Sequence, residues 1–360
     1  GQLSTILMGS AYGREFQALP NAVVTACGFA GNCIGTAAAF LSGDVVVYAW
    51  AAAGWNAVAL VAIATAVHTR IARLHPARPS WATLKELASF GLKGQSLLVA
   101  ELIVIQASKI LLGVASGAAA AGAYELGSRL ALGFRTLGGL FTGALTAPFT
   151  RSFSERGLTG AMEHAERLTT RVAALSIVPP LLGLALAPAF LSLWLRHYEA
   201  LTLAAMVGLC LAFTTDSLTG VQGVVADAIG RPGLRAKAAI VTAVLSMGLG
   251  APLLLIFGPM GLMAGIVAAI ILGSAYSIAL VQPAVGSTQR RYYRLIAGPL
   301  VLGLTATVLS FLSTAWLRTD NRLEAALAVA VGCVVFLGFY LSTAVLRGYL
   351  PRHYFTWRLR

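Results

Sequence analysis

Ten long apolar runs divide this chain, and they constrain its fold more than anything else in it. They are read at about 18–42, 44–67, 95–114, 120–149, 170–195, 200–224, 236–256, 259–283, 295–317 and 323–346. Roughly 20 apolar residues carry a helix across the hydrocarbon of a bilayer, where a helix satisfies its own backbone hydrogen bonds. The expectation is an all-α membrane protein of about ten transmembrane helices. Only 11% of the 360 residues are charged and 58% are AVILMFWYC, against about 25% charged in ordinary globular chains. A soluble surface cannot be built from that.

The charges between the runs define two sides. There are 26 Lys and Arg against 13 Asp and Glu, a net +13, which in a soluble chain points to nucleic acid. Here the basic residues lie between apolar runs rather than in one stripe. Alternate loops hold 20 of them on one side and three on the other, with Lys109, Arg129 and Arg135 inside spans. Positive residues stay cytoplasmic, so both visible termini are expected there, in a multi-pass protein of the cytoplasmic (inner) cell membrane that binds no nucleic acid. Trp194 and Trp316 fall at outer interfaces and Trp81 and Trp357 near inner ones, where amphipathic rings are accommodated. The tail from Arg347 to Arg360 interleaves Tyr349, Tyr354 and Trp357 with arginines. Directly beside a span, it reads as an anchor on anionic headgroups rather than a nucleic-acid patch.

Cys27, Cys33, Cys210 and Cys333 lie inside apolar runs with no CxxC spacing and read as packing residues. The longest hydrophilic stretch, 69–94, contains His75, Pro76 and Pro79 and reads as a linker between two bundles. Sliding the sequence against itself by 217 positions puts Gly13-Arg14 on Gly230-Arg231, Ala22-Val23-Val24-Thr25-Ala26 on Ala239-Ile240-Val241-Thr242-Ala243, and Ala51-Ala52 on Ala268-Ala269. Six predicted spans separate the copies, an even number, so both cross in the same direction, as in parallel transporter repeats. With a six-helix unit, residues 1–68 are the remnant of an N-terminal lobe and 69–94 a cytoplasmic lobe linker. Residues 95–285 are a C-terminal six-helix lobe, and 286–360 a terminal helix pair with a basic cytoplasmic tail. About four spans are then expected ahead of Gly1; the first apolar run itself lacks the charged n-region and cleavage site of a signal peptide.

Three segments resemble a known family. Gly122-Ala123-Tyr124, opening a span that runs to Pro148-Phe149-Thr150 and Arg151-Ser152-Phe153, looks like that family's eighth helix and its cytoplasmic exit. Ala226-Asp227-Ala228-Ile229-Gly230-Arg231 is similar to the turn between its tenth and eleventh helices, and Gly258-Pro259-Met260-Gly261-Leu262-Met263-Ala264 to the tight outer turn before its twelfth. The family is the Wzx-like polysaccharide and lipid-linked oligosaccharide flippases of the multidrug/oligosaccharidyl-lipid/polysaccharide exporter superfamily. The likeness covers helices five to fourteen, with a remnant of helix four before Asn21; Ser246-Met247-Gly248 departs from it where such proteins often carry Asn. It implies a truncated form of a two-lobed 6+6+2 helix transporter that flips undecaprenyl-diphosphate-linked oligosaccharide from the inner to the outer leaflet by alternating access, for surface polysaccharide biosynthesis. The implied partners are that lipid-linked glycan, membrane lipids and the polysaccharide polymerase machinery, with no cofactor.

Charged side chains deep in a span are costly and face protein or water, so each is a candidate for function. Glu101 and Lys109 lie on the third span, Glu125, Arg129 and Arg135 on the fourth, and Asp216 on the sixth. Glu125 and Arg129 stack at four-residue spacing. The third span rises and the fourth descends, so at about 1.5 Å per residue Lys109 lies at the depth of Glu125 and Arg129, and Glu101 can meet Arg135 nearer mid-membrane. Two readings stand. In one, these are structural ion pairs stapling neighbouring helices. In the other, Lys109, Arg129 and Arg135 line a cationic cavity for a lipid diphosphate, Arg129 and Arg135 foremost, because a guanidinium fork matches phosphate oxygens and keeps its proton. Glu101 and Glu125 then belong to the same substrate site. Asp216, beside Thr214, Thr215 and Ser217, is either a proton or Na⁺ coupling site or a carboxylate satisfied by those hydroxyls and the backbone. Gln106 and Gln222 either contact sugar hydroxyls or hold helices together. Asp227 and Arg231 are expected to pair across one helical turn.

No Walker A, HExxH or GxSxG motif and no His/Cys/Asp cluster at metal spacing occurs. No catalytic or metal-binding residue is therefore named, and the chain is not expected to be an enzyme. An integral-membrane glycosyl- or acyltransferase should expose acids or histidines in a substantial loop, whereas the outer loops here are a few residues long. The other alternative is a multidrug cation antiporter of the same superfamily, whose cavity should be acidic or aromatic rather than rich in Arg and Lys. The charge asymmetry makes a direct prediction: a reporter that fluoresces only in the cytoplasm should light up when fused after Arg360 and stay dark when inserted before Pro259. The reverse pattern would invert the topology.

Overall fold

The computed structural model describes residues 18–70, 80, 81, 85, 95–143, 145–317 and 321–350. Gly13-Arg14, most of the 69–94 linker and the tail 351–360 lie outside the described residues, which contain helices and turns and no strand. Two compact units make up the chain, 1–84 and 85–360.

The first unit is a hairpin of α1 (Ala18–Ser42) and α2 (Val45–Arg70). Its turn rests on Gly43 at φ 69°, a backbone conformation that glycine adopts at little cost. Asp44 then caps α2, accepting from the Val46 N–H at 2.8 Å. Small residues let the helices close: a Cβ on Gly31 would press on Trp55 and one on Gly35 on Tyr48, while Tyr48 Oη donates to Asn32 Oδ1 at 2.7 Å. Phe29, Phe40, Leu41 and Trp50 remain exposed, as befits a surface whose solvent is lipid.

Among the described residues of the second unit, three long helices are broken at glycines with positive φ, Gly117, Gly157 and Gly258. Residues 95–143 fold back at Gly117 (φ 89°) into α3 (95–116) and α4 (118–143), and α3 contains a π-helical turn, Ile103–Ala107. Gly113 meets Ala121 across the break, whereas residues eight apart in an unbroken helix are separated by about 12 Å. Next come α5 (Thr146–Ser176), α6 (Val178–Leu195), α7 (Ala200–Leu218) and α8 (Gly220–Ala228). The helix Gly233–Ala284 breaks at Gly258 (φ 65°) into α9 (233–257) and α10 (259–284), which touch at Gly250 and Gly265. The terminal pair is α11 (Gln289–Thr314) and α12 (Arg322–Leu346). Among the described residues, eight helices are long and apolar enough to cross a membrane, and two of them, of 48 and 52 residues, are more than twice the roughly 20 that one crossing needs. Those two are the ones split at Gly117 and Gly258, so the eight helices supply ten crossings.

Two expected spans have different ends. The run 120–149 stops as a helix at Gly143 and restarts at Thr146, because Pro148 is tolerated in a first helical turn but not in the middle of one. The charged stretch after Arg151, expected as a loop, is helical and belongs to α5, which is itself broken at Gly157 (φ 66°). The run 200–224 breaks at Thr219.

α6 and α7 form the buried centre of this unit. α4 closes on α7 and on the end of α5 because Gly127 faces the Thr202 carbonyl and Gly138 the Ser176 carbonyl with no room for a Cβ. Tyr124, Leu112, Met206, Leu262 and Ile266 fill the core on one side of α7. On the other side of the centre, Ile177 and Leu181 pack with Phe336 and Tyr340, whose rings stack at 5.8 Å. Helix breaks free carbonyls that lipid cannot satisfy, and side chains from other helices take them. At the Ile177 break beside Pro179-Pro180, Tyr340 Oη donates to the Ala174 carbonyl at 2.7 Å. At Thr219, the Asp216 carbonyl accepts from Thr219 Oγ1 at 2.7 Å, and the Leu218 carbonyl from Tyr292 Oη at 2.6 Å.

Close approach at Gly127 is directly testable. Gly127→Val should push α4 off α7 and cost about 1–3 kcal/mol, read as a lower Tm in detergent. Gly133→Ala, on the same helix with open space around it, should leave Tm unchanged or raise it. Equal effects would contradict the packing described.

Candidate functional site

The fold-back at Gly117 sets the charges opposite one another. Lys109 and Glu125 stand eight residues either side of it, and Glu101 and Arg135 sixteen and eighteen, so the hairpin brings each set level. Nearer the turn, Glu125 holds two cations: Lys109 Nζ on Oε2 and Arg129 Nε on Oε1. Further from it, Arg135 donates through Nη2 to Glu101 Oε1 at 3.0 Å and through Nε to Asp216 Oδ2 at 2.8 Å. Its guanidinium also lies over the Phe213 ring, 5.1 Å from the centroid, where the ring quadrupole attracts it. Asp216 is 81 residues away in sequence, a partner that helical spacing cannot reveal.

A cavity of about 530 Å³ opens beside this second cluster, among α3, α4 and α7 to α10. Glu101, Arg135, Asp216 and Arg235 supply its charges, Phe213 an aromatic face, and Thr136, Thr242 and Ser274 hydroxyls. Gly138, Gly139, Gly220, Gly223 and Gly273 leave the space open. Two cations and two anions balance, so the cationic lining expected from sequence is corrected. Lys109 and Arg129 take no part in the lining, because each has closed on Glu125; the Arg129 side chain, 74% exposed, lies outside it. Gln106 is exposed on the π-helical turn and is also absent from the lining. Gln222 is buried and does not reach this cavity, although its neighbours Gly220 and Gly223 do.

Beside Asp216, the two neighbouring threonine hydroxyls are committed to backbone carbonyls. Thr214 Oγ1 donates to the Cys210 carbonyl at 2.8 Å and Thr215 Oγ1 to the Ala212 carbonyl at 2.7 Å, leaving the Arg135 guanidinium as the positive charge at the carboxylate. The expected Asp227–Arg231 pair is replaced by Asp227–Arg235. α8 ends at Ala228 and Gly230 reverses the chain at φ 74°, so Asp227 and Arg231 do not share a helix, while Arg235 returns on the first turn of α9. Arg235 then packs against Gly223, where a Cβ would sit 2.9 Å from its Nε. Sequence reasoning placed Arg235 in a cytoplasmic loop; the Arg231-Pro232 step after Gly230 was the available signal of a turn.

Chemically, the site is an arginine held in place but not consumed. A guanidinium has five N–H donors; the bonds to Glu101 and Asp216 use two, which leaves three for ligand oxygens. Removing it leaves two carboxylates facing each other in the bundle. Arg135→Ala is expected to cost roughly 1–3 kcal/mol, less than the about 3–5 of a fully buried pair, because these side chains keep 29–41% exposure. Thermal unfolding should show Arg129→Ala to be milder, and the uncharged triple variant Glu101→Gln, Arg135→Gln, Asp216→Asn should recover most of the loss. An Arg135→Ala protein as stable as the native one would mean that the network does not hold the helices.

No protein-family model matches this chain, and no curated protein does. Among solved structures it is similar to the lipid II flippase MurJ in an inward closed conformation, with a TM-score of 0.62 and 15% identity over 97% of this chain and 72% of that one. At that identity the likeness is one of fold. The chain is a multi-pass, all-helical membrane protein with the architecture of that transporter.

Proposed function

We propose that this protein is a flippase that carries an undecaprenyl-diphosphate-linked oligosaccharide from the inner to the outer leaflet by alternating access, for surface polysaccharide biosynthesis. One observation carries the reading: Arg135 lines a cavity of about 530 Å³ with three N–H groups uncommitted, in a chain with the fold of a lipid II flippase. A diphosphate offers oxygens in the geometry a guanidinium fork accepts, and such charge-assisted bonds are roughly twice as strong as neutral ones. Glu101 and Asp216 offset the arginine while the cavity is empty, so no bare charge stands in low dielectric. When the diphosphate binds, the same carboxylates repel it, which keeps the complex weak enough to release cargo on the far side. The cavity lies within the usual range of about 300–1,000 Å³ for ligand sites; it suits the diphosphate and the first sugar, with Thr136, Thr242 and Ser274 for sugar hydroxyls. The lipid tail stays in the bilayer. The charge asymmetry supports both visible termini in the cytoplasm in this reading, with the polymerase machinery as the consumer of the flipped product.

A second reading has its own support. Glu101, Asp216 and Phe213 are what a multidrug cation antiporter of the same superfamily needs in its cavity, and they are present beside Arg135. Complementation separates the two. In cells lacking their own flippase, the full-length gene should restore surface glycan. The triple variant Glu101→Gln, Arg135→Gln, Asp216→Asn, expressed at native level, should reduce that rescue at least tenfold, about 1.4 kcal/mol of lost substrate interaction, and Arg135→Lys should rescue only in part. Normal glycan export by the triple variant would remove Arg135 from substrate binding, and drug resistance without any effect on glycan would favour the antiporter.

A further inference from the structure

Four exposed arginines gather where α5, α11 and α12 meet on the arginine-rich side of the chain. α5 and α11 lie side by side and run the same way. Arg291 Nη2 reaches Glu166 Oε2 at 2.6 Å, Thr170 Oγ1 donates to the Leu295 carbonyl at 3.2 Å, and one helix on, Thr307 Oγ1 donates to the Leu181 carbonyl at 3.5 Å. One residue turns an α-helix by about 100°. Arg171, one past Thr170, and Arg294, one before Leu295, therefore swing to the same side of this contact. Arg290 stands one turn before Arg294. Tyr349, two residues past Arg347 at the end of α12, rests on Gly298, which is four residues on from Arg294 and so on the same face of α11. Arg171, Arg290, Arg294 and Arg347 are all exposed, and no carboxylate among the described residues pairs with any of them. Like charges gathered at one place repel, and an anion between them relieves the repulsion.

The exposed face of α11 changes character along its length. Arg290, Arg294, Ala297, Val301, Leu304 and Val308 follow one another at alternating spacings of four and three, and every one is exposed, so they form a single outward stripe. Its first turn is cationic and the rest apolar. At about 1.5 Å per residue, Val301 and Leu304 stand about 10 and 15 Å from Arg294, within the roughly 15 Å of hydrocarbon that one leaflet provides. A phospholipid has this profile, with a phosphate for the guanidinium and an acyl chain for the apolar residues. A free phosphate makes no use of the apolar part, and a zwitterionic headgroup leaves the surplus positive charge unmet. None of these residues lines the Arg135 cavity.

We propose that the seam of α5 and α11 holds one anionic phospholipid, its phosphate between Arg171 and Arg294 and an acyl chain along Ala297, Val301 and Leu304. Arg290 and Arg347 add charge around the headgroup. Guanidinium forks match phosphate oxygens, and basic pockets between transmembrane helices are where such headgroups bind. The lipid bridges α5 to the terminal helix pair, whose Tyr292 and Tyr340 take carbonyls at the ends of α7 and α5, so its loss loosens the second unit. The seat is independent of what the Arg135 cavity carries.

The test uses the purified, delipidated full chain in detergent, with Tm followed by tryptophan fluorescence as phosphatidylglycerol, phosphatidylcholine or inorganic phosphate is added. Phosphatidylglycerol should raise Tm saturably by a few degrees, and the other two should leave it unchanged. The double variant Arg171→Gln, Arg294→Gln should abolish the rise, and Val301→Ser with Leu304→Ser should move its midpoint to about tenfold more lipid. Arg231→Gln with Lys237→Gln, an equal loss of exposed charge where α9 begins, should leave the rise intact. Should the arginine double variant fail to fold, Arg294→Lys takes its place and should weaken the rise. No rise with phosphatidylglycerol, or an equal rise with phosphatidylcholine, would overturn the proposal. A rise of the same size with inorganic phosphate would overturn it in favour of a free anion. A rise that survives loss of Arg171 and Arg294, or one that the Arg231 and Lys237 substitutions remove as well, would overturn it by placing the effect elsewhere.

Discussion

A charge carried into hydrocarbon has to meet its opposite there, and this requirement shapes the core of the second unit. Six ionisable side chains on three spans resolve into two clusters, Lys109–Glu125–Arg129 and Glu101–Arg135–Asp216. Both depend on α3 and α4 being antiparallel legs folded at Gly117, so that side chains nearly equidistant from one glycine arrive at one depth. The first cluster has one carboxylate for two cations, and the exposed Arg129 carries the surplus outward. The second has two carboxylates for one cation and faces the cavity. The difference in stoichiometry separates a staple from a site: of these two clusters, the second has carboxylates that orient a guanidinium while leaving part of its fork toward open space.

The helix breaks around that site follow from the same lack of water. A carbonyl freed at Thr219 or beside Pro179-Pro180 cannot be left to lipid, so Tyr292 and Tyr340 reach across from α11 and α12 to take it. The terminal helix pair therefore takes part in holding the site. Tyr292 fixes the end of α7 two residues after Asp216 and also lines a small cavity at Gln222.

Much of this was legible beforehand because lipid makes unusually simple demands. The crossings followed from apolar runs alone, and their ends differed where proline or a break intervened, at Thr146 and Thr219. The levels of Lys109 with Glu125 and of Glu101 with Arg135 followed from residue counts along two antiparallel helices. What stayed hidden was every relation between helices distant in sequence. Arg135 and Asp216 lie on helices whose neighbourhood no periodicity records, Arg235 comes back to Asp227 across a reversed turn, and whether Gln222 contacts sugar or holds helices together could not be read, because a sequence does not say which face of its helix is turned inward.

The sequence by itself determined that the chain crosses a membrane repeatedly and which ionisable residues must be neutralised inside, since these depend on hydropathy and count. Only the tertiary structure decided which of those charges share a cavity and that the cavity is balanced rather than cationic. Those outcomes depend on the packing of glycine-lined faces and on the rotation of each helix about its axis, and neither is written in the spacing of residues along a single span.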